Sequence, residues 1–213
     1  MTTTSGKGFY PIASRTIIPV DLIYLDTIYG FEGTEWPIGT PARPVKSLED
    51  LLVILGQRNS VNIHVKNELV LDRDLPKALN FFGDGDWYQS RINFNSKDVA
   101  GSNFRGLDLY GVALGMVYAQ SCILGANAPN SVMLSGNIYE CPVLGLEVPL
   151  GFSVAMYKCS FGSTIDITGG QLFIIDSSGD LDIHSMTGAM PVLSVLRGDN
   201  DILLEAGCVA GGA

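Results

Sequence analysis

Three segments of the chain repeat one pattern: GMVYAQSCILG at residues 115–125, GNIYECPVLG at residues 136–145 and AMYKCSFG at residues 155–162. Each segment carries a tyrosine, then a cysteine, then a glycine. The cysteines Cys122, Cys141 and Cys159 are 19 and then 18 residues apart. Helical repeats are longer than this, whereas one coil of a β-helix, with its short strands and turns, fits the interval. The repeat therefore predicts an all-β solenoid with about 18–20 residues in each coil.

Equivalent residues of successive coils stack, so the repeat also predicts two columns of side chains. One column is expected to contain Tyr118, Tyr139 and Tyr157, and the other the three cysteines. Side chains that point in parallel usually stack instead of forming a bridge, so we expect buried, reduced thiols and synthesis inside a cell. Zinc is a weaker alternative, because the chain has no Cys-x-x-Cys pair and no Cys/His cluster.

The C-terminal third repeats at half this interval. Strand-like apolar runs end at glycines separated by 10, 9, 10 and 9 residues, namely Gly169, Gly179, Gly188, Gly198 and Gly207. Two such steps make one coil of 19 residues. Regular strands that end at glycine also suit an antiparallel sandwich or barrel. The similar tyrosine–cysteine–glycine segments favour the solenoid, because strands of a sandwich seldom resemble one another at equal intervals.

Composition limits the classes of protein to which the chain can belong. Its 213 residues suffice for one domain with a sizeable core, and 46% of them are apolar while only 16% are charged. The net charge is −9, with 13 basic and 22 acidic residues and no basic cluster, so we expect no nucleic-acid partner. The first residues lack an apolar segment, and no run is long enough to cross a membrane, so we expect neither secretion nor membrane insertion.

We expect three regions along the chain. Residues 1–20 are polar and rich in threonine and glycine, and they predict an extended N-terminal arm. Residues 21–59 combine a strand, a loop rich in proline and glycine, and one helix. Residues 60–213 form the β-helix. An uncapped lower end, after Gly207, suggests that another chain or another copy covers it.

The one predicted helix begins after a capping box, Ser47-Leu-Glu-Asp50, and is expected to end at Gly56. Its apolar residues follow helical spacing. They are Leu48, Leu51, Leu52 and Leu55. Because an open end of a solenoid exposes its core and its strand edges, we interpret this helix as the N-terminal cap.

The segment between the first strand and the helix carries several characteristic phrases. They are Tyr24-Leu-Asp26, Gly33-Thr34, Trp36-Pro-Ile-Gly-Thr-Pro41 and Pro44-Val45. This segment resembles the start of pectin-lyase-like β-helix domains found in tail-fibre and other virion proteins of bacteriophages and archaeal viruses. The strand ends at residues 168–170 and 187–188 are similar to those families as well. The resemblance spans about residues 22–213 and implies a right-handed parallel β-helix with a structural role in a virion, as a trimer.

Pectate-lyase-type enzymes share the fold that this resemblance implies, so acidic residues are candidates for a catalytic or binding site. Asp84, Asp86 and Trp87 lie in a glycine turn close to Arg91, where the two carboxylates could hold calcium or the ring could stack on a sugar. A solvated turn explains this segment more simply, and we expect no metal and no cofactor. Asp180 and Asp182 share one side of a strand and could flank a glycosidic bond. Because Leu181 and Ile183 occupy the opposite side, an outward polar face explains them more simply.

The histidines give no catalytic pattern. His64 and His184 each lie in a predicted strand, and no nucleophile motif accompanies either one. We therefore predict a non-enzymatic structural protein of a virion, made in the host cytoplasm, with itself and neighbouring virion proteins as partners. The N-terminal arm would make the attachment. A protein that binds or degrades a host surface glycan is the alternative, and a cellular adhesin is a third possibility.

Overall fold

The chain folds into a parallel β-solenoid of about six turns. The structure, a computed structural model, describes residues 21–83, 90–126, 131–162, 164–179, 181–186, 192–199 and 202–204. Every pairing between its named strands is parallel. The solenoid prediction is confirmed, and the antiparallel sandwich is excluded. The predicted arm, residues 1–20, lies outside the described residues, as does Gly207 at the expected open end.

Within the described residues there are one helix and 18 strands. The helix, α1, spans Leu48–Arg58. The strands are β1 (Leu22–Asp26), β2 (Asn62–Val70), β3 (Asn80–Phe82), β4 (Ser90–Asn93), β5 (Lys97–Asp98), β6 (Asn103–Arg105), β7 (Asp108–Gln120), β8 (Ile123–Leu124), β9 (Val132–Tyr139), β10 (Pro142–Val143), β11 (Leu146–Pro149), β12 (Ser153–Tyr157), β13 (Ser160–Phe161), β14 (Thr164–Thr168), β15 (Gln171–Gly179), β16 (Leu181–Met186), β17 (Val192–Asp199) and β18 (Ile202–Leu204).

The strands stack in rows along the solenoid. One row, called the first row below, contains β1, the start of β2, β3, β6, the ends of β7 and β9, β12, the start of β15, and β17. Long strands bend from one row into the next, and a residue in the left-handed conformation marks the bend. In β2 this residue is Asn67, at φ 66°. Its side-chain amide donates a hydrogen bond of 2.7 Å to the buried carboxylate of Asp26.

The coils differ in length although their strands stay in register. Asn80 lies 18 residues after Asn62, but Asn103 lies 23 residues after Asn80. The next coil is short, because Gln120 pairs with Arg105. The interval is then 18 to 19 residues from Cys122 to Ser177. The next coil has 21 residues, because Ser177 pairs with Gly198, so the coil of 19 residues predicted from the spacing of Gly179 and Gly198 is wrong.

The core is a column of buried apolar side chains inside the coils. In the first row its members alternate with outward residues, as the two-residue period of a strand requires. Phe81 and Phe104 stack with ring centroids 5.2 Å apart and nearly parallel planes, and Phe94 meets Phe104 edge-on at 5.3 Å. These three rings are almost completely buried. They fix the spacing of the strands directly beneath the outer face of the first row.

Helix α1 packs its apolar face onto this core beside β1. The Ser47 hydroxyl accepts a hydrogen bond of 3.1 Å from the N–H of Asp50, as expected for an N-cap. Leu48, Leu51 and Leu55 are buried, and so is Ile54, which the sequence interpretation left out. Leu52 is only half-buried at the edge of the core.

The predicted end of the helix at Gly56 is wrong. The helix continues through this glycine to Arg58, and Asn59 forms the C-cap in the left-handed conformation, at φ 50°. Asparagine adopts this conformation more readily than other residues with side chains, so it can replace glycine at a helix end.

The loop ahead of the helix covers the outer edge of β1. The N–H of Tyr24 donates to the carbonyl of Gly39, the N–H of Asp26 donates to Val45, and the N–H of Val45 donates to Tyr24, over 2.8–3.0 Å. The outer hydrogen-bonding groups of the first strand are thereby used within the chain.

Candidate binding face

The outward side of the first row, called the ladder face below, carries two columns of side chains. The column at the strand ends consists of Tyr24, His64, Phe82, Arg105, Gln120, Tyr139, Tyr157, Ile175 and Leu196. The column two residues earlier consists of Leu22, Asn62, Asn80, Asn103, Tyr118, Asn137, Ala155, Phe173 and Ser194. Neighbouring strands are about 4.8 Å apart, so members of one column are within contact distance.

Three asparagines of the second column form a hydrogen-bonded amide ladder. The amide of Asn80 donates to Oδ1 of Asn62 over 2.8 Å, and the amide of Asn103 donates to Oδ1 of Asn80 over 2.8 Å. Each side-chain amide has two donor hydrogens and an oxygen with two lone pairs. These two hydrogen bonds use only one hydrogen of each donor and one lone pair of each acceptor. The ladder therefore presents a row of oriented amides that retain hydrogen-bonding capacity toward solvent.

The tyrosine column is shorter than the repeat predicted. Tyr139 and Tyr157 pair in register and stack, with centroids 4.8 Å apart and an angle of 11° between the planes. The placement of Tyr118 in this column is wrong, because Gln120 pairs with Tyr139 while Tyr118 pairs with Asn137. The strand turns at the residue directly before each cysteine, so equivalent positions are found by counting back two residues from the cysteine. That count gives Gln120, Tyr139 and Tyr157.

In both columns the residue type changes around the coils that carry Arg105 and Gln120, and a cleft lies at this position. Tyr118 interrupts the amides, and Arg105 and Gln120 interrupt the rings. The cleft has a volume of about 280 Å³. It is lined by Asn80, Phe81, Phe82, Asn103, Phe104, Arg105, Tyr118, Ala119, Gln120 and Tyr139. Tyr118 and Tyr139 are each 41% exposed, so both rings are accessible to a ligand.

A second cleft of about 360 Å³ lies at the N-terminal end of the same face. Its lining includes Tyr24 and His64, whose rings are 4.9 Å apart, together with Tyr29 and Lys66. The Lys66 ammonium lies 3.8 Å from the buried Asp26 carboxylate. Phe82, which lines the first cleft, follows His64 directly in the column at the strand ends.

The cysteines lie one above another at a corner of the coil, as free thiols. The N–H of Cys122 donates to Sγ of Cys141 over 3.2 Å, and the N–H of Cys159 donates to Oγ of Ser177 over 3.0 Å. Each thiol in turn approaches the carbonyl two residues earlier, at 3.4 Å for Cys122, 3.2 Å for Cys141 and 3.5 Å for Cys159. The Ser177 hydroxyl makes the same bond to Ile175 at 3.1 Å. The side chains of this column therefore provide hydrogen-bond partners for backbone N–H and carbonyl groups at a turn. Ser177 makes the same kinds of hydrogen bond as the cysteines.

This environment disfavours the thiolate. Burial raises the pKa of the Cys159 thiol to about 11, although the N–H of Cys141, which faces its sulfur, opposes the shift. The hydrogen bond with the Cys122 side chain, followed by burial, raises the pKa of Cys141 as well. A thiolate could not donate to the carbonyl two residues earlier. These residues are therefore structural and unsuited to act as nucleophiles.

Arg91 pairs with a buried carboxylate in the neighbouring row. Its Nε lies 3.6 Å from Oδ2 of Asp108, whose side chain is only 3% exposed. Burial raises the pKa of the Asp108 carboxyl, and the Arg91 charge lowers it. Glu68 occupies the same column and accepts a hydrogen bond from the Tyr110 hydroxyl. The group spans three coils, because Glu68 pairs in register with Arg91 and Arg91 with Asp108.

Several predicted candidates lie outside the described residues. They are Asp84, Asp86, Trp87 and Asp180. Asp182 lies in β16, paired with Thr164 and Leu203, and His184 lies in the same strand. His64 lies on the ladder face. No group of three or more potential metal ligands is found in the part of the chain that the structure describes.

In comparisons with known proteins, no family model, no curated protein and no solved structure matches the chain. No helix among the described residues is long and apolar enough to cross a membrane.

Proposed function

We propose that the protein is a non-enzymatic structural component of a virus particle, in a tail, a fibre or another surface appendage, where it assembles as a homotrimer. The virion assignment is supported by the resemblance of residues 24–47 to β-helix domains of virion proteins. The solenoid suits this role mechanically, because stacked strands and side-chain columns make a stiff rod that unfolds slowly.

The observation that carries the trimer is an apolar patch on the C-terminal half of the ladder face. The patch consists of Tyr157, Ile175 and Leu196 in the column at the strand ends, together with Phe173 in the column that carries asparagines in earlier coils. Leu196 is 54% exposed, and the other three are half-buried. Outward positions of a sheet that faces water are normally polar. An apolar group at these positions favours burial against another surface.

A second copy of the chain is the occupant that fits this patch. In a parallel trimer the three patches meet on the threefold axis, so each patch is covered by its own equivalents. The patch runs along the rod, and side-by-side packing would therefore extend over several coils. The proposed arm, residues 1–20, would then remain available at one end of the rod to attach a neighbouring virion protein.

Native mass spectrometry and light scattering test the assembly. The expected mass is three times the 22.8 kDa of one chain. Leu196→Lys is expected to give a folded monomer, because it places three charges on the axis. Leu114→Lys is the matched control, since Leu114 is 44% exposed but lies outside the patch. A monomeric wild-type chain at micromolar concentration, or a trimer that survives Leu196→Lys, would contradict the proposed interface.

The virion role needs a separate test. Antibodies against the folded chain are expected to label purified virus particles on an appendage, in electron micrographs of particles from cells that make the protein. Removal of residues 1–20 is expected to leave the trimer intact and to abolish the labelling. Particles that carry no label although the intact protein is abundant in the cells would contradict the virion assignment.

A further inference from the structure

We propose that a third cleft, beside Trp36, is the docking site for residues 16–20 of the same chain. These residues, Thr16-Ile-Ile-Pro-Val20, form an apolar run that directly precedes β1 and lies outside the described residues. The consequence of docking rests on the proposed function and deepens it. Residues 16–20 anchor the arm on the rod, so residues 1–15 are the part that contacts a neighbouring virion protein.

The cleft lies between the start of β1, the loop that covers β1, and the end of α1. Its volume is about 300 Å³, at the lower end of the range for a ligand pocket. Leu22, Trp36 and Pro41 supply its apolar lining. Trp36 is 75% exposed, and an aromatic ring of this size beside further apolar residues favours burial against another apolar surface.

The cleft is separate from the surface assigned to the trimer. Its strand residues belong to β1, the first strand of the first row, whereas the trimer patch lies on β12, β15 and β17 in the last coils. The docked run therefore competes with none of the contacts that hold the proposed trimer together.

The walls of the cleft are held in position before anything binds. The guanidinium of Arg58 lies over the Trp36 ring, with its Cζ 5.0 Å from the ring centroid. Nη2 of Arg58 also donates a hydrogen bond of 2.5 Å to the carbonyl of Ile38, in the loop that carries Trp36. Because these two contacts fix the side chains, little side-chain entropy is lost on binding.

The chain enters β1 at the rim of this cleft. The Ser60 hydroxyl donates a hydrogen bond to the carbonyl of Asp21, and both residues line the cleft. Val20 is bonded directly to Asp21, and four extended residues span at most about 14 Å, so Ile17 stays close to the cleft. Docking is therefore an intramolecular step with a high effective concentration, which a separate partner lacks.

The sequence of the run suits a cleft with an aromatic wall. Ile17, Ile18, Pro19 and Val20 are consecutive apolar residues. A proline fixes its own φ and disfavours helix at the residue before it, and β-branched side chains also favour extended backbone. Extended segments that contain proline bind grooves lined by aromatic residues, because they lose little conformational freedom on binding.

Docking divides the arm into an anchored part and an available part. A second proline run, Phe9-Tyr-Pro-Ile12, lies eight residues before the first and remains beyond the anchor. Tyr29, in the same loop as Trp36, is 74% exposed and does not line the cleft. These apolar groups stay accessible to a neighbouring virion protein while Trp36 is covered.

Fluorescence of Trp36 tests the docking in the full-length chain. The chain has two tryptophans, so Trp87→Phe leaves Trp36 as the only reporter. We expect acrylamide to quench Trp36 weakly in this background, because the docked run shields the ring. The double replacement Ile17→Ser and Ile18→Ser is expected to raise the quenching constant at least twofold.

The matched control changes the two residues before the other proline. Phe9→Ser and Tyr10→Ser together are expected to leave the quenching constant unchanged. An unchanged constant in the isoleucine variant, or an equal rise in the control, would overturn the proposal. Circular dichroism of each variant ensures that quenching is compared only between folded proteins.

Photocrosslinking identifies the copy that supplies the run. Full-length chains that carry benzoylphenylalanine at position 18 are prepared unlabelled and labelled with nitrogen-15, and are refolded together before irradiation. We expect crosslinks to residues 36–41 that join peptides of one label. Crosslinks that join the two labels would assign the run to a neighbouring copy, and crosslinks to another surface would place it outside the cleft. Either result would overturn the proposal.

Both measurements use the purified chain without virus particles, so they fail independently of the virion role. An isoleucine variant with unchanged quenching would remove the anchor, and antibody labelling of particles would still decide the virion assignment. Particles without label would contradict the virion assignment, and a shielded Trp36 would still establish the docking.

Discussion

The backbone N–H of Cys122 donates a hydrogen bond to the sulfur of Cys141, 3.2 Å away and 19 residues later in the chain. One coil thus uses the side chain of the next coil to satisfy its own backbone. This bond explains why the cysteines recur. The donor and the acceptor lie in adjacent coils, so the spacing between the cysteines equals the length of one coil.

Two replacements of Cys141 separate the contribution of its hydrogen bond to stability from the contribution of its packing. We expect Cys141→Ser to be more stable than Cys141→Ala by about 1 kcal/mol, because the hydroxyl still accepts from the N–H of Cys122, whereas alanine leaves that donor buried and unpaired. Ser177 already makes the equivalent bonds two positions further along the column, after Cys159. Urea denaturation of the two variants provides the measurement. An alanine variant as stable as the serine variant would show that the column acts by packing alone.

Alkaline pH is expected to destabilise the fold through the thiols. The pKa of Cys159 is about 11 in the folded chain, above its value in the unfolded chain. The contribution of this group is therefore complete below the unfolded pKa, near 9, and is lost as the pH rises toward 11. The loss approaches ~1.4 kcal/mol per pH unit in this window.

Other groups also titrate above pH 9, so the informative quantity is a difference. Denaturation midpoints of the wild type and of Cys159→Ser, measured from pH 8 to pH 11, are expected to converge as the pH rises. Parallel curves would mean that the Cys159 thiol does not contribute to the pH dependence.

Three substitutions in the cap helix are expected to change the free energy of unfolding, two by lowering it and one by raising it. Leu51 is completely buried, so Leu51→Ala is expected to lower the free energy of unfolding by about 2–5 kcal/mol. Leu52→Ala should lower it by only about 1 kcal/mol, because Leu52 is half-buried. Gly56→Ala is expected to raise it by about 1 kcal/mol, since a Cβ there meets no atom within 4 Å and alanine favours the helix. Thermal melts rank the three variants, and an unchanged melt for Leu51→Ala would mean that the helix does not seal the core.

Among the strand glycines whose surroundings the structure describes, Gly136 leaves the least room for a side chain. Its φ is +144°, and an added Cβ would lie 1.8 Å from the carbonyl oxygen of Val117 in the adjacent coil. Gly136→Ala is therefore expected to destabilise the fold by more than about 3 kcal/mol or to prevent folding. Gly101→Ala is the matched control: its φ is +73°, but no atom lies near the added Cβ, so only backbone strain of about 1 kcal/mol is expected. Equal destabilisation by the two substitutions would show that backbone strain, and not a clash with Val117, requires glycine at position 136.

The sequence predicted the architecture better than the surface. The cysteine interval revealed the coil because each cysteine follows a turn residue in the left-handed conformation, Ser121, Glu140 or Lys158, all at φ 51–54°. Tyr118 was misplaced because its distance from the cysteine is two residues longer than in the other copies. The helix end was misplaced because Asn59, and not Gly56, supplies the positive φ.

The amide ladder was missed for a different reason. Asn62, Asn80 and Asn103 are separated by 18 and then 23 residues, so a search for a constant period does not connect them. Only the strand register shows that they share a column. The cleft could not be predicted either, since it arises where two columns change at the same coils. An outward asparagine two residues before an outward aromatic or basic residue, as in Asn80–Phe82 and Asn103–Arg105, is the signal that could have identified the face.

The loop that covers β1 has a consequence for the behaviour of the chain at high concentration. Exposed strand edges recruit other chains and seed fibrils. At the N-terminal end the carbonyls of Gly39 and Val45 already occupy the N–H groups of Tyr24 and Asp26. A growing aggregate would have to displace residues 39–45 before it could add a strand there. This end of the rod therefore resists seeding, and a neighbouring molecule that meets it must be recognised through side chains such as Tyr29, which is 74% exposed.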